Sequence, residues 1–407
     1  NGLIEFIDTN CKDIVQLSEA VARLDEMLAQ HTTGQSVEYL YERVPAELRG
    51  FVELVMDLQH RPSYRLIEPL LYRSKYYKQS LQKLCFGSLS RVDQRPFVLS
   101  TPRLPDDNHL QVNLDFSSPL ADEIFSARET PLDEARVAEI FGGVETKGGL
   151  NYGDLFTEHK SKYQRQPING GVRLEYTGHA GFLVESKDCA VLIDPVIASR
   201  GESYADQVFG FSQLPSKLDF ICLTHNHQDH VNIETLLQLR YKTERVLVPK
   251  NNGGTLADPS IKLLLKQLGF SVTEVDELEQ IPLPNGGRIT SIPFLGEHGD
   301  LNVRSKTAWL VEMNGKKCFF GADSANPDIS LYQNLKDELT DLDVFAIGME
   351  CVGAPYTWLY GALHTKMVPK AVRDSRRLNG SDSKQALPII RMLQPERVFI
   401  YALGREP

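Results

Sequence analysis

Four side chains able to bind a metal fall within the stretch Leu-Thr-His-Asn-His-Gln-Asp-His: His225, His227, Asp229 and His230. His225 and His227 are two residues apart and can turn to one side of an extended backbone. Asp229 and His230 follow where the chain bends toward the next element, and they can face a second ion. Three imidazoles and a carboxylate this close together need partners if they leave water. A divalent cation supplies partners for all of them at once, so the pattern points to a dinuclear metal centre.

Such a cluster has to be held by something regular. The apolar run at 220–223 reads as a strand, which puts the four ligands on the loop at its C-terminal end. Around it, strands are expected at 172–176, 181–185, 190–193, 246–248, 272–275, 289–293, 308–312, 317–321, 344–349 and 398–402. Helices at 233–239 and 261–268 alternate with them, an α/β pattern in which antiparallel hairpins sit beside βα units. The first part of the chain differs in texture and carries no catalytic motif. Helices are expected there at 14–28, 45–58 and 131–140, and strands at 95–99 and 110–114. A polar, glycine-containing stretch at 147–171 divides the two, giving an N-terminal α+β domain over 1–165 and a catalytic domain over 166–407.

Composition removes several alternatives. Hydrophobic residues make up 42% and charged residues 24%, as in a globular protein, and no apolar run reaches the roughly 20 residues of a bilayer span. The first residues have neither a basic region nor a long apolar one, so no signal peptide is expected. The six cysteines form no Cys-x-x-Cys pair, which argues against a thiolate zinc site and for reduced thiols in a cytoplasmic protein. A net charge of −10 with dispersed Lys and Arg argues against nucleic-acid binding. The local exception is a basic cluster at 370–377, with Arg373, Arg376 and Arg377, a candidate docking patch.

From about residue 172 onward the chain resembles the metallo-β-lactamase superfamily, whose members share a His-x-His-x-Asp-His loop. The resemblance implies an αββα sandwich. It also carries the remaining ligand roles to the Gly-Glu-His-Gly-Asp stretch at 296–300, to Asp323 in Gly-Ala-Asp-Ser and to His364 in Leu-His-Thr-Lys. Gly-His-Ala-Gly-Phe at 178–182 and Leu-Ile-Asp-Pro at 192–195 match the opening strands of that fold. Asp194 would then orient the metal loop, and His179 reads as a turn histidine rather than a ligand. Asp323 suits a bridge, because one carboxylate shared by two cations lowers their repulsion.

The reaction turns on Glu297 and His298. On an extended segment neighbouring side chains point to opposite sides, so only one of the two should bind. Hydrolases of the superfamily use a histidine here, which would make the chain a dizinc hydrolase of an ester, amide or phosphodiester. The chain is also similar to the diiron β-hydroxylases of antibiotic biosynthesis, in which a glutamate replaces that histidine. Glu297, Asp323 and His364 lie 72, 98 and 139 residues after His225, intervals that match that family's pattern. A carboxylate donor suits Fe(III) better than Zn(II). The resemblance therefore implies one iron on His225, His227 and Glu297, another on Asp229, His230 and His364, and a bridge through Asp323. Glu297 and Asp323 would be the carboxylates that take part in the reaction.

By the same resemblance the enzyme is an oxygenase that uses two irons and O2. It would hydroxylate the β-carbon of an aminoacyl group tethered as a thioester to a peptidyl carrier domain of a nonribosomal peptide synthetase. An external electron donor and a homodimer built through the N-terminal domain belong to the same expectation. Tyr356, Trp358 and Tyr360, just before His364, could either anchor a loop or wall the pocket.

Overall fold

The computed structural model describes residues 2–87, 103–104, 109–142, 151–158, 163–197, 208–350 and 353–403. Near the N-terminus the helix Lys12–Ala29 forms where apolar periodicity places it, burying Ala20, Leu24, Met27 and Leu28 along one stripe. That stripe packs on Leu40, Leu48, Val52 and Leu54. The last two lie on β1 (Val52–Met56), which pairs antiparallel with β2 (Pro62–Leu66). The expected helix at 45–58 is therefore corrected to a 3-10 turn, Ala46–Leu48, followed by a strand. Gly50 at φ +79° breaks any helix, and Val52 and Leu54 are buried at period two rather than 3.6.

A second hairpin, β3 (Lys83–Gly87) with β4 (His109–Asn113), is covered by the helices Pro119–Ser126 and Glu134–Phe141. The latter helix starts later than expected, beyond Pro131. Asp133 caps it, with Oδ1 accepting from Arg136 N at 2.7 Å. The expected strand at 95–99 lies outside the described residues.

The rest of the chain is two six-stranded sheets. One runs β10 (Val272–Val275), β9 (Thr243–Pro249), β8 (Leu218–Cys222), β7 (Ala190–Ile193), β6 (Gly181–Glu185), β5 (Arg173–Gly178). The other runs β11 (Gln280–Pro282), β12 (Arg288–Ile292), β13 (Ala308–Met313), β14 (Lys316–Phe320), β15 (Val344–Gly348), β16 (Arg397–Tyr401). In each sheet an antiparallel part continues into a parallel one, from β7 in the first and from β14 in the second.

Both faces of each sheet are covered, and the strands show it. All four residues of β7 are buried. Val191 and Ile193 face the inter-sheet core with Phe182, Trp309 and Phe320, while Leu192 faces the helices Ile233–Leu239 and Ile261–Gln267 with Leu236 and Leu265. On the far side, Phe319, Phe345 and Ile347 are covered by Ile389 and Leu393 of the helix Ser383–Leu393. This is the αββα sandwich. Trp309 is fully buried, and its indole Nε1 donates to Leu223 O at 3.1 Å across the two sheets. Truncating it to Ala would cost about 3–5 kcal/mol, because the cavity could not be refilled from either side.

The N-terminal region is fastened to the sandwich by polar bonds and by Phe116 and Phe125, which pack against both its own core and the core beneath the helix Ile233–Leu239. Arg240 Nε donates to Asp122 Oδ1 at 2.9 Å, and Glu68 Oε2 accepts from Ser260 N at 2.8 Å. Cys189, Cys222 and Cys318 are buried free thiols, and no helix among the described residues is long and apolar enough to cross a membrane.

Candidate metal centre

Five strands deliver side chains to one end of the sandwich, each on the turn or loop beyond its C-terminal residue. β7 leads to Asp194, β8 to residues 224–230, β12 to Glu297, β14 to Asp323 and β15 to Glu350. The metal loop is locked from beneath. Asp194 is completely buried and accepts from Thr224 N at 2.8 Å, from the Thr224 hydroxyl, and from His230 Nδ1 at 2.8 Å. The Thr224 hydroxyl gives its hydrogen to Asp194 and so accepts from His225 Nδ1, 3.0 Å away. In His225 this leaves Nε2 with its lone pair directed into the site, the form a metal needs, and His230, oriented by Asp194, presents an Nε2 that gives up its proton when an ion binds.

Two donor sets meet there. His225, His227 and Glu297 have ligand atoms within 4.8 Å of one another, and so do His225, His230 and Asp323. Glu297 Oε1 lies 3.0 Å from His227 Nδ1. Asp323 Oδ2 stands between the sets, 3.2 Å from His230 Nε2 and 3.9 Å from His225 Nε2. Asp229 Oδ2 is 3.8 Å from His230 Nε2. Glu297 Oε2 is buried and accepts no hydrogen bond among the described residues, although His298 Nδ1 lies 3.2 Å from it. A buried carboxylate oxygen left open among imidazoles is costly in a protein interior and is what a cation would satisfy, so the residues present fit a metal pair.

Charge is balanced unevenly across the centre. Burial and the neighbouring His230, His227 and His298 hold His225 well below the ordinary imidazole range. Burial also opposes charge on His230, but Asp323, Asp194 and Asp229 outweigh it and raise that ring well above the usual value. Burial opposes charge on His227 too, and the Glu297 carboxylate reverses it. The carboxyl of Asp229 is held below its usual range despite burial, because His230 and His179 face it.

Strand alternation does not separate Glu297 from His298. Both side chains are buried beside the cluster, His298 with its ring 4.8 Å from that of His227. The backbone is not extended: Gly296, Glu297 and Gly299 have φ of +86°, +74° and +57°. A Cβ on Gly296 would meet that of Ala325 at 2.4 Å, and one on Gly299 would meet that of Tyr356 at 2.3 Å, so only glycine fits at either position. His298 is driven down to about 2 by burial and by the cations His227 and Lys306, which makes it a neutral ring. It belongs to neither donor set.

Of the two remaining histidines, His364 departs from its expected place and His179 lies in its expected turn. His364 is exposed, belongs to neither set, and has its ring edge-on to Tyr356 at 5.4 Å. The reason is local: the turn Gly361–Leu363 sends the chain outward just before it. His179 is buried in its turn at φ +47°, with Nε2 2.9 Å from Asp229 Oδ2, and forms a third possible donor set with Asp229 and His230. The three aromatics divide: Tyr356 is buried as an anchor, Trp358 is exposed, and the Tyr360 hydroxyl lies 3.2 Å from His227 Nε2.

Two residues at the centre were not expected from sequence: Lys306, whose Nζ donates to Gly296 O at 3.0 Å, and Glu350, whose carboxyl is raised to about 7 by burial and by Asp323. A carboxylate just past the apolar strand β15 was a usable signal for Glu350. Nothing in the sequence singles out Lys306.

Two six-stranded sheets with clustered His, Asp and Glu donors at one end define a metalloprotein of the metallo-β-lactamase fold. Residues 190–400 match the Beta-lactamase superfamily domain, and residues 1–160 match the Diiron non-heme beta-hydroxylase N-terminal domain. The chain is 37% identical over 399 residues, 96% of its length and 74% of the relative's, to the 4-amino-L-phenylalanyl-[CmlP-peptidyl-carrier-protein] 3-hydroxylase of Streptomyces venezuelae. The crystal structure of CmlA, a diiron beta-hydroxylase from the same organism, superposes with a TM-score of 0.81 at 36% identity, covering 96% of this chain and 73% of that one. A metal-dependent hydrolase of Brucella ovis is 27% identical over 35% of this chain and 68% of its own length. The chain belongs to the diiron β-hydroxylase family.

Proposed function

We propose that this chain hydroxylates the β-carbon of an aminoacyl group carried as a thioester on a peptidyl carrier domain. The observation that carries the reading is Glu297, an anionic oxygen donor set beside His225 and His227 where a zinc hydrolase would use an imidazole. His225, His227 and Glu297 would hold one iron, Asp229 and His230 the other, with Asp323 between them. When bound, the iron pair lets O2 react with the help of two external electrons and two protons, one oxygen atom entering the substrate as hydroxyl and the other leaving as water. The chain's own part is to fix the donors through Asp194 and Thr224, to keep His298 neutral against the cluster, and to hold Tyr360 over His227 as a barrier to water.

For the last ligand two residues compete. His364 is favoured by the family's spacing, and His179 by its contact with Asp229. Iron loss in His364→Ala but not in His179→Ala would assign the ligand to His364, and the opposite ranking would assign it to His179. The function itself is tested by reacting reduced, iron-loaded protein with O2 and the carrier-bound thioester. Gain of one oxygen atom at the β-carbon, with about two irons per chain, is expected. Two zinc ions and thioester hydrolysis would overturn it. In this reading the protein acts in the cytoplasm as a homodimer formed through residues 1–165, with electrons from a separate donor. Sedimentation of the free protein tests the dimer.

A further inference from the structure

The expected basic cluster at 370–377 is split by the structure. Arg376 is used internally: its Nε donates to Gly299 O at 2.7 Å, and its guanidinium stacks 4.2 Å over Tyr356. Arg377 Nε donates to Gly353 O at 2.7 Å. These bonds, with the Tyr360 hydroxyl beside His227, clamp both ends of one segment to the metal centre. Between the clamps, residues 362–375 are all exposed except the half-buried Val368. Met367 is 95% exposed, Val372 39% and Leu363 37%. Lys366, Lys370 and Arg373 lie among them and have no ion-pair partner among the described residues, against one acid, Asp374.

A surface that mixes exposed apolar side chains with free cations, on a chain of net charge −10, is built against its surroundings. We infer that residues 362–375 are the docking surface for the carrier domain. The inference rests on the proposed function and deepens it. A thioester carried on a phosphopantetheine arm always brings a phosphodiester anion at the arm's attachment point. The domain that bears it must stop beside the opening through which the arm enters. The segment meets both demands, because its cations lie next to apolar contact area and its ends touch Glu297's loop and His227. Apolar contact would hold the docked domain, and the cations would steer it and fix its orientation.

The test uses iron-loaded enzyme and the CmlP peptidyl carrier domain bearing a 4-amino-L-phenylalanyl thioester. Kd is read by fluorescence anisotropy without turnover, and turnover is read separately on the carrier and on the same group attached to free pantetheine. Lys370→Glu combined with Arg373→Glu should raise Kd about tenfold or more and flatten its dependence on salt, and Met367→Asp should weaken binding independently. Turnover of the pantetheine thioester should fall far less than turnover on the carrier. A Kd within about twofold of the parent's for both variants would overturn the inference. So would a dimer that dissociates while carrier affinity is unchanged, which would give the surface to a second copy. A parent enzyme that docks the carrier but leaves it unhydroxylated would support the surface and overturn the functional reading instead.

Discussion

Residues 224–230 and residues 356–377 border the same metal centre and are held in opposite ways. In the first, His225 and His230 are completely buried, and a buried carboxylate and a hydroxyl fix the orientation of each ring from behind. In the second, Tyr356 and Arg376 tie the ends down while the middle faces solvent with Met367 and three cations. Reaction geometry tolerates little error and is assigned to the rigid loop, whereas recognition of a large partner needs area and charge, which the exposed segment provides.

The comparison fails most visibly if the rigid loop does not depend on its anchor. Asp194→Ala strips the acceptor from Thr224 N, the Thr224 hydroxyl and His230 in complete burial. Stability should drop by about 3–5 kcal/mol in urea unfolding, and metal affinity by about 10–100-fold. A variant that keeps both ions and the parent's midpoint would remove the distinction. Glu297→Ala should next lose the ion shared with His225 and His227, while His298→Ala keeps metal content near that of the parent. Elemental analysis decides, and the reverse order would restore the histidine-ligated hydrolase pattern.

A smaller effect follows from charge. His230 is raised by Asp323, Asp194 and Asp229, so in the metal-free protein near neutral pH it carries a proton that an ion must displace. Metal affinity should therefore rise with pH, by about tenfold per unit for each displaced proton while His230 remains protonated. Calorimetry in buffers of different ionisation enthalpy would show proton release, and no release would contradict it. Smallest is Tyr360→Phe, which loses one hydrogen bond to His227, worth about 0.5–1.5 kcal/mol, and should change kcat a few-fold with metal content intact.

What was legible in the sequence follows the same division. The strands from β6 to β9 and the His225–His230 loop were readable because burial on both faces leaves continuous apolar runs, and because clustered imidazoles have few other uses. The 45–58 segment was misread because Val52, Leu54 and Val55 fit two periods equally over so short a stretch. The helix Ser383–Leu393 went unnoticed because Pro388 sits inside it. Glu297 and His298 could not be separated by strand alternation, since that rule fails where φ turns positive, and the turn depends on contacts with Ala325 and Tyr356 far along the chain. The outward position of His364 was equally invisible, because spacing says how far a residue is and not which way its turn leads.

The donors of the centre come from both sheets: His225, His227 and His230 follow β8 of one, and Glu297 and Asp323 follow β12 and β14 of the other. Bound ions are thus rivets between the two halves of the sandwich, and by mass action a ligand at a thousand times its Kd adds about 4 kcal/mol to the folded state. Five non-glycine residues around these loops, His179, Asp194, Glu297, Asp300 and Ala322, hold left-handed backbone, each at a cost of about 1–3 kcal/mol. In a cell short of iron, such a protein would lose lifetime as well as activity, since the unriveted form unfolds more often and meets proteases sooner. Its abundance would then follow the supply of the metal it needs.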